Sequence, residues 1–534
     1  MTDLIVTNVR VHGHEGATAL GVHDGRIVAI GNEQEARLAV APSAEHVNGA
    51  GGTLTPGLVD SHCHPYLSTT QVGAYDFGEV HTWPDFLVAI RNAAREVRAT
   101  HGPDGWLSAW NLDYAVFAGR PITGADFADA ALGMPGYVLF FDGHTAVATP
   151  RAVELSGLTG RERFADASVV VVDDAGVPTG ELLETSAFAP VVACMPAPTA
   201  QECRTAVIDT LARLNSYGVT GLVSMDGTRD RLDLYDEIDR SNGLTVRIQT
   251  ALTHYQEFGE EQIADLIAQR DRHGKRWHGG LIKLFHDGVI DTGTGWLYEP
   301  DVYGDGLRPF WPDPPKYRQM VRRYAEAGFQ IATHAIGDRA VGETIDTYIE
   351  VGVRSRCGAP HRVEHLETFT DQDLKRAAEA GITISMQPLH MQLRHEDHSD
   401  SWAHRLGRVR SARGWRAADV LGAGAPLVLG SDWPVAQLDA RLGMAWSMLR
   451  RVPGDVDAPI FDEHLKLTGS QALDAYTRGA AEAMGQHDLG RIELGALADL
   501  VVFADDPTAV DGDTLARLPV IATIVDGDVV YRGT

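Results

Sequence analysis

Short apolar runs recur through the central part of the chain, and amphipathic helical patterns separate several of them. The helical patterns cover Thr199–Tyr217, Tyr317–Ala327 and Asp371–Ala380, where apolar residues recur at intervals of three and four. The apolar runs read as buried strands of a parallel sheet. They number eight: Leu58–His64, Val219–Met225, Leu244–Thr250, Gly280–Phe285, Gly328–His334, His361–His365, Ile382–Met386 and Pro426–Asp432.

Eight strands with helical crossovers predict an α/β fold, a (β/α)8 barrel of the TIM type. An open doubly wound sheet is the alternative architecture. No Gly-x-Gly-x-x-Gly pattern follows the first strand, so a dinucleotide-binding sheet is disfavoured.

Both ends of the chain have the pattern of β-hairpins, with Asp24-Gly25 and Asp526-Gly527 as turns. No helix near the amino end is long enough to cover such a sheet. We therefore expect residues 1–54 and 485–534 to form one small β-sandwich domain, with the barrel at residues 55–484. Residues 65–205 are rich in turn residues and aromatics and show no simple β/α alternation. They are interpreted as an insertion after the first barrel strand, near the active site.

Composition narrows the class of protein. A chain of 534 residues is too long for a single small core, and a net charge of −27 argues against nucleic acid or an anionic membrane as a partner. The four cysteines show no paired spacing, which suits a reducing compartment. The amino end lacks the pattern of a signal peptide. We expect a cytoplasmic protein with a small-molecule substrate, and a homodimer is left open.

Ionisable side chains that can serve at a metal centre stand on five of the predicted strands. Strand alternation points His62 and His64 to the same side. Taken singly, each residue has a structural explanation: a hydrogen-bonded core histidine, a paired buried lysine, or a helix cap at Asp432. In a barrel, however, the carboxyl ends of all strands form one face. The residues that converge there are His62, His64, Lys283, His334, His365 and Asp432.

This set of side chains indicates a divalent metal centre. Imidazoles and a carboxylate favour zinc among the divalent ions. Burial would lower the pKa of Lys283, and its neutral amine could react with carbon dioxide to form a carbamate that bridges two ions. Such ions would activate a water as hydroxide and polarise a carbonyl group. Asp432 would accept the water's proton and deliver it to the leaving nitrogen.

The same residues lie in motifs similar to those of the amidohydrolase superfamily. The chain most resembles amidohydrolase family 3, the YtcJ-like branch that includes N-substituted formamide deformylases. The similar motifs span nearly the whole chain: Thr55–His64, Ile282–Leu284, Thr333–Asp338, Arg362–His365, Met386–Pro388, Gly430–Pro434 and Gly490–Val502.

The resemblance implies roles for the metal-binding residues. His62 and His64 would bind one ion, His334 and His365 the other, with carboxylated Lys283 as the bridge and Asp432 as ligand and proton shuttle. Some members of the superfamily use a single metal, so one or two ions are expected.

The branch also has a Gly-His pair in the insertion, which implies a substrate-facing role for His144. In this chain Ala146-Val147 follow where a tryptophan is common, so the shape of the pocket differs from the family pattern. Residues just past strand ends are further candidates for the pocket wall: Gln387, Asp287, Trp296 and Trp433.

Three functions are therefore weighed. The first is a metal-dependent hydrolase that cleaves the C–N bond of a small linear amide. The second is a cyclic amide hydrolase or a deaminase of the same superfamily. The third is a metal-binding module without catalysis, which would lack a ligand or the shuttle acid; this sequence lacks neither.

Overall fold

The computed structural model describes residues 3–164, 166 and 168–533. No helix within these ranges is both long enough and apolar enough to cross a bilayer. In chain order the strands are β1 Asp3–Thr7, β2 Arg10–Val11, β3 Ala19–His23, β4 Arg26–Gly31, β5 Glu45–Asn48, β6 Thr53–Pro56, β7 Leu58–Cys63, β8 Tyr75–Asp76, β9 Leu107–Leu112, β10 Gly136–Phe140, β11 Thr145–Ala148, β12 Val169–Val172, β13 Pro178–Leu183, β14 Val219–Gly227, β15 Arg247–Thr253, β16 Trp277–Phe285, β17 Gln330–Ala335, β18 Arg362–His365, β19 Thr383–Met386, β20 Leu427–Leu429, β21 Leu500–Phe503, β22 Val520–Val525 and β23 Asp528–Arg532.

Helices connect most of these strands. In chain order they are α1 Glu33–Leu38, α2 Trp83–His101, α3 Pro150–Ser156, α4 Thr185–Val192, α5 Ala200–Ser216, α6 Arg229–Arg240, α7 Glu260–Ala268, α8 Pro314–Glu326, α9 Asp338–Val351, α10 Asp371–Ala380, α11 Ser401–Ser411, α12 Ala417–Gly422, α13 Ala440–Leu449, α14 Gly469–Ala475, α15 Arg478–Ala483 and α16 Gly512–Leu515. Short 3-10 turns lie at Pro65–Gln71, Tyr114–Phe117, Gly124–Phe127, Pro388–Leu393 and Glu463–Leu465.

Two compact units make up the chain. One contains Met1–Pro65, Val207–Arg308 and Pro314–Thr534, and the other contains Tyr66–Ala206 and Pro309–Asp313.

The first unit contains an eight-stranded sheet in the order β7, β14, β15, β16, β17, β18, β19, β20. Each neighbouring pair is parallel, and helices α6 to α10 connect strands that follow one another along the chain. Sequential parallel strands with helical crossovers are the topology of a (β/α)8 barrel. The predicted fold class is confirmed.

Backbone hydrogen bonds join the loop after β20 to β7 at the carboxyl rim. Asp432 N–H donates to the His62 carbonyl at 2.7 Å, and His64 N–H donates to the Trp433 carbonyl at 2.9 Å. The carboxylate of Asp60 accepts hydrogen bonds from the backbone N–H of both His62 and Ser431. Gly430 permits this approach, because a Cβ there would lie 2.5 Å from the His62 nitrogen. Two predicted metal-binding segments are thus tied together through their backbones.

A small β-sandwich is built from both ends of the chain, as predicted. One sheet has the order β4-β3-β1-β5 and the other β2-β6-β21-β22-β23, in which amino-terminal β6 pairs antiparallel with carboxy-terminal β21. The two sheets share one apolar core, which includes Leu4, Val6, Leu54, Leu500 and Ile524.

The second unit is the insertion that follows the first barrel strand. Its six-stranded sheet has the order β12-β13-β11-β10-β9-β8 and mixes parallel and antiparallel pairs. Phe86 and Ile90 of α2 pack with Phe127 and Val138 in its core. The segment Pro309–Asp313, which lies within the predicted barrel and outside the predicted insertion, also belongs to this unit.

Several predicted strand ends are wrong, by up to three residues. The run Pro426–Asp432 forms a strand only at Leu427–Leu429, and the strand predicted at 244–250 lies at Arg247–Thr253. Asp432 has a φ of 56°, and a non-glycine residue in this region does not continue a strand. Asp432 therefore stands in the loop after the last strand instead of ending that strand.

Candidate metal centre

Asp432 is the residue around which the predicted ligands gather. Its Oδ1 lies 3.0 Å from His64 Nε2 and 3.4 Å from His62 Nε2. Its Oδ2 lies 3.7 Å from His365 Nδ1 and 3.5 Å from His390 Nε2. One carboxylate on the loop after β20 thus faces four imidazoles that come from the first, sixth and seventh barrel strands or the segments after them.

Three of these side chains have donor atoms arranged for an ion. One ligand atom from each of His62, His365 and Asp432 lies within 4.8 Å of the others, and all three residues are buried. His62 Nε2 and His365 Nδ1 make no hydrogen bond to any described residue. Burial lowers the pKa of His62 to about 4 and that of His365 well below its usual value. Buried neutral imidazoles with unused lone pairs beside a carboxylate fit a divalent metal.

Two of the candidate ligand residues have left-handed backbone conformations. His365 has a φ of 77° and Asp432 a φ of 56°, a region that costs about 1–3 kcal/mol for residues other than glycine. The bond from Asp432 N–H to the His62 carbonyl holds one of them in place. Such conformations are concentrated at functional sites, where the surrounding structure compensates for the strain.

Glu364 sets the orientation of His62. His62 Nδ1 donates to Glu364 Oε2 at 2.7 Å, and Arg362 Nε donates to Glu364 Oε1 at 2.6 Å. Burial alone would raise the pKa of Glu364, but Arg362 and His62 together hold it well below its usual value. The proton on Nδ1 leaves the Nε2 lone pair directed at the metal position. Glu364 lies in a motif that the sequence singled out, but no role was predicted for it.

Replacing Glu364 with glutamine is expected to weaken metal binding about 10- to 100-fold, because a neutral amide holds and polarises the His62 ring less well. Titration of metal-free protein with zinc measures the affinity. Glu343→Gln is the matched control, since Glu343 pairs with Arg318 on exposed helices. An unchanged zinc affinity in Glu364→Gln would contradict this role.

Lys283 lies on β16 and is almost fully buried. Burial lowers the pKa of its ammonium to about 8, although the carboxylates of Glu364 and Asp432 partly oppose this shift. A substantial fraction of this lysine is therefore neutral near physiological pH, as carbamate formation requires.

His334 and His365 come from adjacent strands β17 and β18, and their ring centres lie 4.5 Å apart. His334 Nε2 donates to the Gly288 carbonyl at 3.0 Å. The ring proton is therefore on Nε2, and Nδ1 is the nitrogen with a lone pair for an ion.

His390 is a residue of this site that the sequence analysis missed. It lies in the 3-10 turn after β19, with Nε2 3.5 Å from Asp432 Oδ2 and Nδ1 3.6 Å from Glu367 Oε1. Burial would lower its pKa, but Glu367 and Asp432 raise it overall. The sequence feature that could have pointed to His390 is the Met386-Gln387-Pro388 motif, because His390 stands two residues after it.

A family model described as an amidohydrolase family matches residues 45–531. The chain belongs to this amidohydrolase family. Protein LONG AFTER FAR-RED 3 of Arabidopsis thaliana is 27% identical, covering 99% of this chain and 92% of the relative. N-substituted formamide deformylase of Arthrobacter pascens is 25% identical, covering 100% and 99%. The resemblance seen in the sequence is thereby confirmed.

Among solved structures, a metal-dependent hydrolase from Pyrococcus horikoshii superposes with a TM-score of 0.74 at 20% identity. The match covers 96% of this chain and 99% of that one, and it shows the shared fold. Membership of the amidohydrolase family, together with the histidine–aspartate cluster, supports a metal-dependent hydrolase.

The pocket residues predicted in the barrel of this amidohydrolase are all buried. Asp287 accepts hydrogen bonds from the backbone N–H groups of Trp296, Ile336 and Gly337, and burial raises its pKa to about 8. Its carboxylate thus fixes the loops after β16 and β17. The substrate contact predicted for Asp287 stays a prediction.

The other barrel candidates have aromatic or polar neighbours. The Trp296 ring is covered by the Arg339 guanidinium, 4.7 Å from the ring centre, and Arg213 lies 5.9 Å from the Trp433 ring centre. Gln387 Oε1 is buried and accepts no hydrogen bond from a described residue. Their contacts with substrate also stay predictions.

His144 lies in the second unit and is paired within it. Its Nδ1 lies 2.7 Å from Glu184 Oε2, and its backbone N–H donates to Asp142. Glu184 has a φ of 65°, so a strained residue orients this ring. The predicted substrate-facing role of His144 stays a prediction.

Proposed function

We propose that this protein hydrolyses the C–N bond of a small, linear amide in a metal-dependent reaction. The observation that carries the proposal is the group of imidazoles around Asp432, with buried ring nitrogens that lack partners among the described residues. The full-length relative named N-substituted formamide deformylase supports a linear amide as the substrate class.

The residues that would hold the metal are His62, His64, His334, His365 and Asp432, with Lys283 as a carbamate. This donor set favours zinc, as one or two ions. A bound ion would polarise the substrate carbonyl and lower the pKa of water.

Asp432 is the proposed proton carrier. Burial would raise its pKa, but the nearby His62, His64 and His365 keep it well below its usual value, so the carboxylate is ionised. It can take a proton from the attacking water and return it to the departing amine nitrogen, which leaves as an amine. His390 contacts Oδ2 of the same carboxylate and would keep it in position.

A carbamate on Lys283 is a separate part of the proposal. The neutral amine would add to carbon dioxide and release one proton, which creates two oxygen ligands. We expect a carbon-13 carbamate signal when metal-loaded protein is equilibrated with labelled bicarbonate, and no such signal in Lys283→Ala. A free amine in metal-loaded wild-type protein would refute the carbamate.

A substrate panel tests the proposed reaction. Protein purified without chelator is given N-formyl and N-acetyl amines, cyclic imides and aminated heterocycles, and the release of amine, ring-opened acid or ammonia is measured. We expect amine release from the linear amides. Turnover of only cyclic amides or only heterocycles would favour the second function, and no turnover by metal-loaded protein would favour a binding module.

A further inference from the structure

An arginine with an unusual environment lies on the carboxyl face of the barrel. Arg394 follows the 3-10 turn Pro388–Leu393. Its guanidinium carbon lies 5.0 Å from the Trp402 ring centre, 5.9 Å from that of Trp415 and 4.8 Å from that of Phe461. The two tryptophans and Phe461 belong to an apolar cluster with Ile336, which lies just past β17.

The guanidinium is buried without the hydrogen bonds that such a group requires. Arg394 is 6% exposed, and its Nε and Nη1 donate to no residue that the structure describes. The carboxylate of Asp462 lies 3.9 Å from Nη1, beyond hydrogen-bond distance. Leaving a charged donor buried and unpaired is strongly unfavourable. Cation–π contacts orient the group but offer it no acceptor in its plane.

The carboxylates nearest to Arg394 are committed to other groups. Asp462 is also 3.6 Å from the guanidinium of Arg450, so one acid faces two arginines. Asp400 accepts hydrogen bonds from the backbone N–H groups of His395 and Ala403. Glu367 accepts the indole N–H of Trp402 at 2.7 Å. Arg394 thus lacks a dedicated counter-ion among its described neighbours.

A continuous series of contacts connects Arg394 with the metal centre. Trp402 lies against Arg394 and donates to Glu367, whose other oxygen is 3.6 Å from His390 Nδ1. His390 Nε2 is 3.5 Å from Asp432 Oδ2. His390 and Arg394 are also four residues apart along the chain. The unpaired guanidinium therefore lies on the same face as the proposed proton carrier and only a few side chains away.

We propose that Arg394 binds a carboxylate of the substrate, so that the amide cleaved here carries an anionic group away from its C–N bond. The planar guanidinium presents parallel N–H donors that match the two oxygens of a carboxylate, which a lysine ammonium cannot do. A bound carboxylate would accept from Nη2 and from one of the two unpartnered nitrogens, Nε or Nη1, because each of these forms a parallel donor pair with Nη2. The aromatic rings around the group exclude water and strengthen that ion pair. This inference rests on the proposed function and specifies its substrate class.

Matched substrate pairs test the inference. Each pair is a linear amide with a carboxylate and the methyl ester of that amide. The carboxylate stands either on the amine side, as in an acylamino alkanoate, or on the acyl side, as in an N-alkyl succinamate. Wild-type protein, Arg394→Met, Arg394→Ala, Arg394→Lys and Arg416→Met are compared by amine release. Arg416 is the matched control: its guanidinium lies 5.2 Å from the Phe369 ring centre but is paired with Asp371 and Asp419.

Wild-type protein is expected to favour the carboxylates over their esters by about 10- to 100-fold in kcat/KM. This ratio corresponds to the usual free energy of hydrogen bonds to a charged group. Arg394→Met should lose this preference, mainly through KM, while its rate on esters stays within a few-fold. In Arg394→Ala, which leaves space for a small guanidinium, added ethylguanidinium should restore part of the rate on carboxylates. Arg394→Lys should recover little, and Arg416→Met should retain the full preference.

The outcomes separate the two proposals. Equal rates on carboxylates and esters by wild-type protein overturn the role of Arg394 and leave amide hydrolysis intact. An equal loss on both members of a pair in Arg394→Met, together with no rescue of Arg394→Ala by ethylguanidinium, shows a purely structural arginine. Absence of turnover on every amide by metal-loaded protein refutes the proposed function itself.

Discussion

Asp432→Asn is expected to lower kcat by about 100- to 10,000-fold, the usual contribution of a positioned general acid–base group. Asparagine has nearly the same size and preserves the shape of the loop after β20, but its amide cannot take a proton from water. Because the carboxylate acts on the reacting atoms, the loss should appear in kcat, with KM changed far less.

The measurement needs protein whose metal content is known, since Asp432 also lies within ligand distance of His62 and His365. Steady-state kinetics are therefore recorded at saturating zinc, with metal content determined on the same samples. Asp373→Asn serves as the control, because this buried carboxylate accepts a hydrogen bond from Thr370 at the start of α10. A metal-loaded Asp432→Asn protein with near wild-type kcat would rule out proton transfer through this residue.

Removal of the metal is expected to abolish activity, and zinc should restore it. The polarising charge at the substrate carbonyl would be lost. An ion that binds only the folded chain also stabilises it, by about 4 kcal/mol when its concentration is 1,000 times Kd. The thermal unfolding temperature should fall with chelation and recover with zinc.

Two controls isolate the effect of the ion. Chelator already saturated with zinc should leave both activity and unfolding temperature unchanged. The variant His361→Asn should keep its metal. His361 is a buried histidine directly before β18, and its Nδ1 accepts a hydrogen bond from the backbone N–H of Ile331 on β17. Full activity in protein shown to contain no metal would refute a metal-dependent mechanism.

The barrel, and the clustering of the candidate metal ligands, could be predicted from local sequence patterns. Apolar runs define parallel strands, and a barrel brings their carboxyl ends to one face, so His62, His334 and His365 could be grouped without knowledge of side-chain contacts. The same geometry explains why the wrong end predicted for the last strand did not affect the grouping of Asp432 with the histidines. Asp432 lies in a loop three residues past Leu429 and still reaches that face.

Other features depend on contacts that leave no periodic signal. Glu364 touches His62 across 302 positions of sequence, and this contact depends on where β7 and β18 stand in the barrel. His390 and Arg394 belong to a 3-10 turn and the residue after it, where neither strand nor helix spacing applies. The joining of Pro309–Asp313 to the insertion is likewise a long-range contact.

The backbone bonds that connect the last barrel loop to the first strand have a consequence for how the protein matures. Ser431 and Asp60 are 371 positions apart, so their contact forms only after almost the whole barrel has been synthesised. Contacts of such high sequence separation are slow to form and come late in folding. A chain still emerging from the ribosome therefore has His62 and His64 without Asp432. We therefore expect a metal ion to bind at this site only after the barrel is complete.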